Sequence, residues 1–215
     1  MEVAVGVACG DRRLPQHVIG VKEPPRLGLF GTAERFLDGL TGDELVAPGT
    51  APAPGQIVES VSPGLAALAV GWGAEIADIV RLQDEPDAIR AGLAAAAGTS
   101  DVTVIVGGAS VGDYDFAKAA FAETGGETVF SKVAIKPGKP VWFGRAGAGL
   151  VLGLPGNPAS ALTCAWLFLR DLVAALSGRA VAAALPATRA VLTAPLKANG
   201  PREQFLRARL QTGPA

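Results

Sequence analysis

"VTVIVGGASVGDYDF", residues 102–116, joins three textures in one line. Its first five residues are all β-branched, the composition of a strand buried on both faces. Glycines follow at 107, 108 and 112. Then "YDFAKAAFAETGG" has helical makeup and stops on a glycine pair. Buried strand, glycine loop and helix together predict an α/β domain with a largely parallel sheet.

The same alternation extends to both sides. Upstream, "RLGLFG" (26–31) reads as a strand and "SPGLAALAVGWG" as a helix, with Ser62 as cap and Pro63 in the first turn. "AEIADIVRL" reads as a strand. "DEPDAIRAGLAAAAG" reads as a helix capped by Asp84 and stopped by Gly98. Downstream, "ETVFSKVAI", "PVWFG" and "GLVLGL" predict strands, and "NPASALTCAWLFLRDLVAALSG" a long helix. The expected fold is α/β: a three-layer, mostly parallel sheet with helices on both faces, over residues 26–180. Residues 1–25 show no clear period and stay unassigned. Residues 186–215 change texture and predict a partial C-terminal β-rich unit.

Composition narrows the function. The chain has 215 residues, 49% of them hydrophobic, with 19 basic and 20 acidic side chains, so it can bury a sizeable core and carries no basic excess for nucleic acid. Cys9 and Cys164 have no metal-like spacing, which fits a cytoplasmic setting without a disulfide framework. The run "ALTCAWLFL" is too short to span a bilayer and predicts a buried helix, so no membrane partner is expected.

In open parallel sheets, ligands sit beyond the carboxyl ends of the strands. Three loops are expected there: 107–113, 136–140 and 153–158. Gly108-Ala109-Ser110-Val111-Gly112 matches the G-x-S-x-G elbow of α/β hydrolases. A triad needs a histidine after the serine, and the lone His17 comes before it. A Ser-Lys dyad with Lys136 or Lys139 is the remaining hydrolytic option. Gly107, Gly108 and Gly112 can instead present backbone N–H groups to a phosphate. Asp113 and Asp115 would repel that anion unless Mg²⁺ bridges them; Asp113 alone also reads as a helix cap. "KPGKP" (136–140) holds two lysines on a stiff turn around Gly138, an arrangement that favours an anion between them or an exposed basic turn. "GLPGNPAS" (153–160) places Pro155, Gly156, Asn157 and Ser160 at the start of a helix. Asp43, Glu44 and Asp84 are further carboxylates near strand ends.

"TGDELVAPGTAPAPGQI", "GGASVGDYDF", "KVAIKPGKPVWFG" and "GLPGNPASAL" occur in the order and spacing of one family. From about residue 40 to 178 the chain resembles the molybdopterin molybdenumtransferases, of the MoeA/gephyrin E-domain type. The simpler molybdopterin adenylyltransferases share the glycine loop, but the K-P-G-K-P and L-P-G-N-P pair favours the transferase. The resemblance implies insertion of molybdenum from molybdate into adenylated molybdopterin, with release of AMP and help from Mg²⁺. It implies that Gly107, Gly108, Ser110 and Gly112 cradle the pterin phosphate, with Asp113 a further substrate-binding residue, and that Gly138, Pro155, Gly156, Asn157 and Ser160 line the ligand pocket. Lys136 and Lys139 would neutralise oxyanion charge. Glu44, Asp84 and Asp115 would hold the cation, Asp115 also acting in catalysis. A homodimer is implied as well.

Two segments depart from the family pattern, at three positions. Val106 stands where Ser or Thr is usual, and Glu59-Ser60-Val61 replaces Asp-Ser-Asn. The family's N-terminal domains and most of its C-terminal barrel are not recognisable. The expected alternatives are therefore an adenylyltransferase-like activity, or a ligand-binding fragment without turnover.

Overall fold

The computed structural model describes residues 2–6, 26–32, 45–82, 85–96, 100–107, 116–181, 190–196 and 200–209. The strands are β1 (Glu2–Gly6), β2 (Arg26–Thr32), β3 (Leu45–Val46), β4 (Ile57–Val58), β5 (Glu75–Leu82), β6 (Val102–Val106), β7 (Glu127–Ser131), β8 (Ile135–Lys136), β9 (Trp142–Ala146), β10 (Gly149–Leu154) and β11 (Glu203–Arg209). The helices are α1 (Val61–Gly71), α2 (Pro86–Ala96), α3 (Phe116–Glu123), α4 (Pro158–Cys164) and α5 (Arg170–Leu176).

The main sheet has six strands in the order β5-β2-β6-β10-β9-β7. β5, β2, β6 and β10 are parallel neighbours, and β9 is antiparallel to both β10 and β7. Only β9 therefore runs against the rest. The two-residue connection Gly147-Ala148 forces this, because a tight hairpin can join only antiparallel strands.

Strand alternation sorts the core into two layers. From β6, Val102, Val104 and Val106 face α1 and α4–α5, meeting Leu65, Ala161, Cys164 and Leu169. Ile105 faces the other way, toward Ile89 and Leu93 of α2 and Phe121 of α3. Both faces of β6 are covered, and Val102, Val104 and Ile105 are at most 1% exposed. Burial of each such side chain stabilises the fold by roughly 1.5–3 kcal/mol. The sandwich of helices, sheet and helices is the three-layer arrangement predicted from the sequence. Arg90 ties the two helices of one layer together, pairing with Asp87 of α2 and Glu123 of α3.

Several local expectations are corrected. α1 starts at Val61, with Ser60 at the cap position making no side-chain bond there. The carboxylate of Glu59 does that work, accepting from Val61 N at 2.7 Å and Ser62 N at 2.9 Å. "ETVFSKVAI" is two strands in two sheets, because Lys132 breaks it in a left-handed conformation, φ 59°. The expected long helix is α4 and α5 joined by a π-helical segment, Ala165–Leu169. That segment carries Trp166, which meets Trp72 edge-on at 5.3 Å and lies 5.5 Å beneath the Arg170 guanidinium. As one helix, Pro158–Leu176 has 19 residues with a mean hydropathy of 1.5, so by length and composition alone it could cross a bilayer. Here Ala161, Cys164, Ala165, Leu169 and Val173 pack it into the core.

A second sheet, β1-β11-β8, joins the two ends of the chain to the middle. Glu2–Gly6, within the unassigned first segment, pairs antiparallel with Phe205–Arg209. In the C-terminal region the described residues 190–196 contain no strand, and β11 is the strand of that part.

Candidate functional site

The register of the main sheet decides which loops meet. Val106 lies opposite Leu154, so β6 and β10 end together, and Gly107 and Pro155 both begin at the carboxyl edge. Trp142 lies opposite Gly153, so β9 starts at that same edge. The turn 136–140 leads into β9 and therefore arrives there too. The convergence expected of the three loops holds for Gly107, the K-P-G-K-P turn and the L-P-G-N-P loop, although the turn reaches the edge by the reversed strand.

Gly107 adopts φ 91°, and its N–H donates to the Leu154 carbonyl at 3.0 Å. That donor is thus spent on the β6–β10 ladder. The residue's contribution is to turn the chain out of the sheet, which a side chain at positive φ would resist. Gly108, Ser110, Gly112, Asp113 and Asp115 lie outside the described residues, as do Asp43, Glu44, Asp84 and His17.

Lys136 and Lys139 are exposed on either side of a buried Gly138. The Lys136–Pro137 peptide is cis, and Gly138 has φ 108°. The Gly138 carbonyl accepts from Val141 N at 3.1 Å, closing the turn. A β-carbon on Gly138 would stand 2.4 Å from Cys164 Sγ and 2.9 Å from Ile135 Cδ1. Gly138 is buried against α4, and its missing side chain is what lets the turn close there. Cys164 has no exposure, and burial pushes its thiol up to about 12. It is a packing residue with no thiolate to offer at neutral pH.

Asn157 is the N-cap of α4. Its Oδ1 accepts from Ser160 N at 3.1 Å and Ser160 Oγ at 3.3 Å, and Pro158 occupies the first turn. Both side chains remain at the surface, with the Asn157 amide N–H₂ directed to no described partner. Pro155 is buried and Gly156 half-buried. Sequence reasoning passed over Lys132. It follows β7, and its N–H donates to the Val141 carbonyl at 3.1 Å, so an exposed third lysine stands at the same edge. The signal available in the sequence was its position one strand-length before K-P-G-K-P.

The edge therefore carries three exposed lysines, an amide at a helix start and glycine turns. Among the described residues no group of three His, Cys, Asp or Glu side chains could hold a metal ion. The carboxylates expected to bind Mg²⁺ are the ones outside the described residues.

Fold and site together define a three-layer α/β domain that presents three exposed lysines and glycine turns at the carboxyl edge of its sheet. The family model "Probable molybdopterin binding domain" matches residues 40–175, and the chain belongs to that family. It is 36% identical over 165 residues to a molybdopterin molybdenumtransferase of Nostoc sp. strain PCC 7120, covering 75% of this chain and 36% of that protein. It is 36% identical over 195 residues to molybdopterin molybdenumtransferase 2 of Mycobacterium tuberculosis strain H37Rv, covering 88% and 47%. A solved molybdopterin biosynthesis MoeA protein from Pyrococcus horikosii is similar with a TM-score of 0.60 at 30% identity, covering 72% of this chain and 36% of that one. The chain spans less than half the length of these relatives.

Proposed function

We propose that this chain acts in molybdenum cofactor biosynthesis, as the ligand-binding domain of a molybdopterin molybdenumtransferase. Its ligand is adenylated molybdopterin, its second substrate is molybdate, and AMP is released. The observation that carries the reading is the arrival of the K-P-G-K-P turn and the L-P-G-N-P helix start at one sheet edge beside Gly107.

Cleaving a phosphoanhydride calls for charge neutralisation and positioning more than for a strong nucleophile. Lys136 and Lys139, with Lys132, supply positive charge to the diphosphate and to molybdate. The Asn157 amide offers a neutral donor, since its oxygen is occupied by the cap. Gly107 turns the chain toward the glycine loop, whose Gly108, Ser110 and Gly112 hold the pterin phosphate. Glu44, Asp84 and Asp115 are the residues that would hold Mg²⁺, which would supply further charge neutralisation at the diphosphate. The dithiolene sulfurs that take the metal belong to the substrate. A cytoplasmic location and a homodimer go with this reading.

Equilibrium binding of adenylated molybdopterin to the 215-residue chain tests the reading, followed by AMP release on addition of molybdate. Binding with release supports the full reaction. Binding without release assigns the chain a ligand-holding role. No binding removes the reading.

A further inference from the structure

Strand β11 lies outside the segment matched by the family model, yet it borders the lysine turn. It pairs in parallel with β8, Glu203 opposite Ile135 and Gln204 opposite Lys136. The Glu203 N–H donates to the Ala134 carbonyl at 2.9 Å and fixes this register. Residues in register on neighbouring strands carry their side chains on the same face. Ile135 is buried against α4, so Lys136 and Gln204 share the opposite face, on strands about 4.8 Å apart. Lys136 is exposed and Gln204 half-buried. The Gln204 side-chain amide makes no hydrogen bond within the described residues.

We propose that Gln204 is a further ligand-binding residue of this site, working as a pair with Lys136. An amide offers an acceptor and two donors at once. Its Oε1 can accept from the Lys136 ammonium and hold that flexible side chain in place. Its Nε2 can donate to the same oxyanion that the ammonium neutralises. The half-buried amide is open to water in the free chain, and a bound oxyanion can replace that water as its partner. A carboxylate at 204 would neutralise the lysine instead. The assignment rests on the reading of Lys136 as an anion-binding residue. It adds the C-terminal strand to a site otherwise built from residues 107–160.

The test is calorimetric titration of the full chain with inorganic pyrophosphate, which carries the diphosphate chemistry of the expected ligand. Gln204→Ala is expected to weaken binding about ten- to a hundredfold, the worth of one hydrogen bond to a charged group. Gln204→Glu is expected to weaken it further. The side-chain NH₂ signals of Gln204, assigned in ¹⁵N spectra by their loss in Q204A, are expected to shift on titration of the wild-type chain. A merely structural role would move melting temperature and leave those signals still. If both variants bind like wild type and the signals do not move, while Lys136→Ala weakens binding, the pairing is wrong and the site reading stands. If Lys136→Ala binds as tightly as wild type, or the wild-type chain binds no pyrophosphate, the underlying site reading falls and the pairing falls with it.

Discussion

Gly138 and Cys164 share one space: the Cys164 sulfur stands 2.4 Å from where a β-carbon on Gly138 would be. The lysine turn can lie on α4 only because residue 138 has no side chain and accepts φ 108°. Gly138→Ala combines left-handed strain with overlap against a buried thiol. It is expected to cost about 2–4 kcal/mol of stability, adding strain to overpacking. Urea denaturation measures this. Cys164→Ala in the same background should return the larger part of the overlap, leaving the close contact with Ile135 and about 1–2 kcal/mol of backbone strain.

Gly153 and Trp142 make a similar pair on the other face. A β-carbon on Gly153 would lie 1.8 Å from Trp142 Nε1, and the indole also packs on Phe121 at 5.2 Å. That Nε1 is the one buried side-chain polar atom without a partner among the described residues. Gly153→Ala is expected to destabilise by about 3 kcal/mol or more, since neither ring nor backbone can yield easily. In a Trp142→Ala background the same change should cost under about 1 kcal/mol, because the space is then empty. A double-mutant cycle in denaturant checks the coupling.

Asn157 carries two roles that substitution can separate. Its oxygen caps α4, so Asn157→Ala is expected to cost about 1 kcal/mol of stability. Asn157→Asp keeps the cap acceptor and should keep stability within about 0.5 kcal/mol. It also places a negative charge where the ligand's anionic group is proposed to sit. Pyrophosphate affinity should therefore fall in the Asp variant even though its melting temperature holds.

The Cys164 thiol gives a pH dependence of known sign. Burial raises it from 9.0 to about 12, so the unfolded chain loses this proton first as pH rises. Its contribution to stability is present in full below pH 9 and is lost progressively between pH 9 and about 12. Measured in a Cys9→Ser background, stability should fall across that window, and Cys164→Ala should flatten the fall. At pH 8 the thiol should resist a disulfide reagent until the chain is unfolded.

The α/β class was legible because it is written in local periods. Five consecutive β-branched residues at 102–106 can be buried on both faces, and a Pro-Gly-Asn-Pro series ends a strand and caps a helix. The cap at Asn157 and the strands β5, β6, β9 and β10 follow from such signals. What neighbouring side chains could not encode was pairing at a distance. Residues 2–6 have no period of their own and become a strand only because β11 offers them a ladder. The Gly107 N–H looked free for a phosphate until Leu154 was found to accept from it. Glu59 took the capping role from Ser62 because its longer side chain reaches forward to two N–H groups at once. Sequence alone determined the α/β layers and the chemistry available at 107, 136–140 and 153–160. Tertiary structure decided that these segments share one edge, because a two-residue hairpin reverses β9 and carries the lysine turn back to where β6 and β10 end.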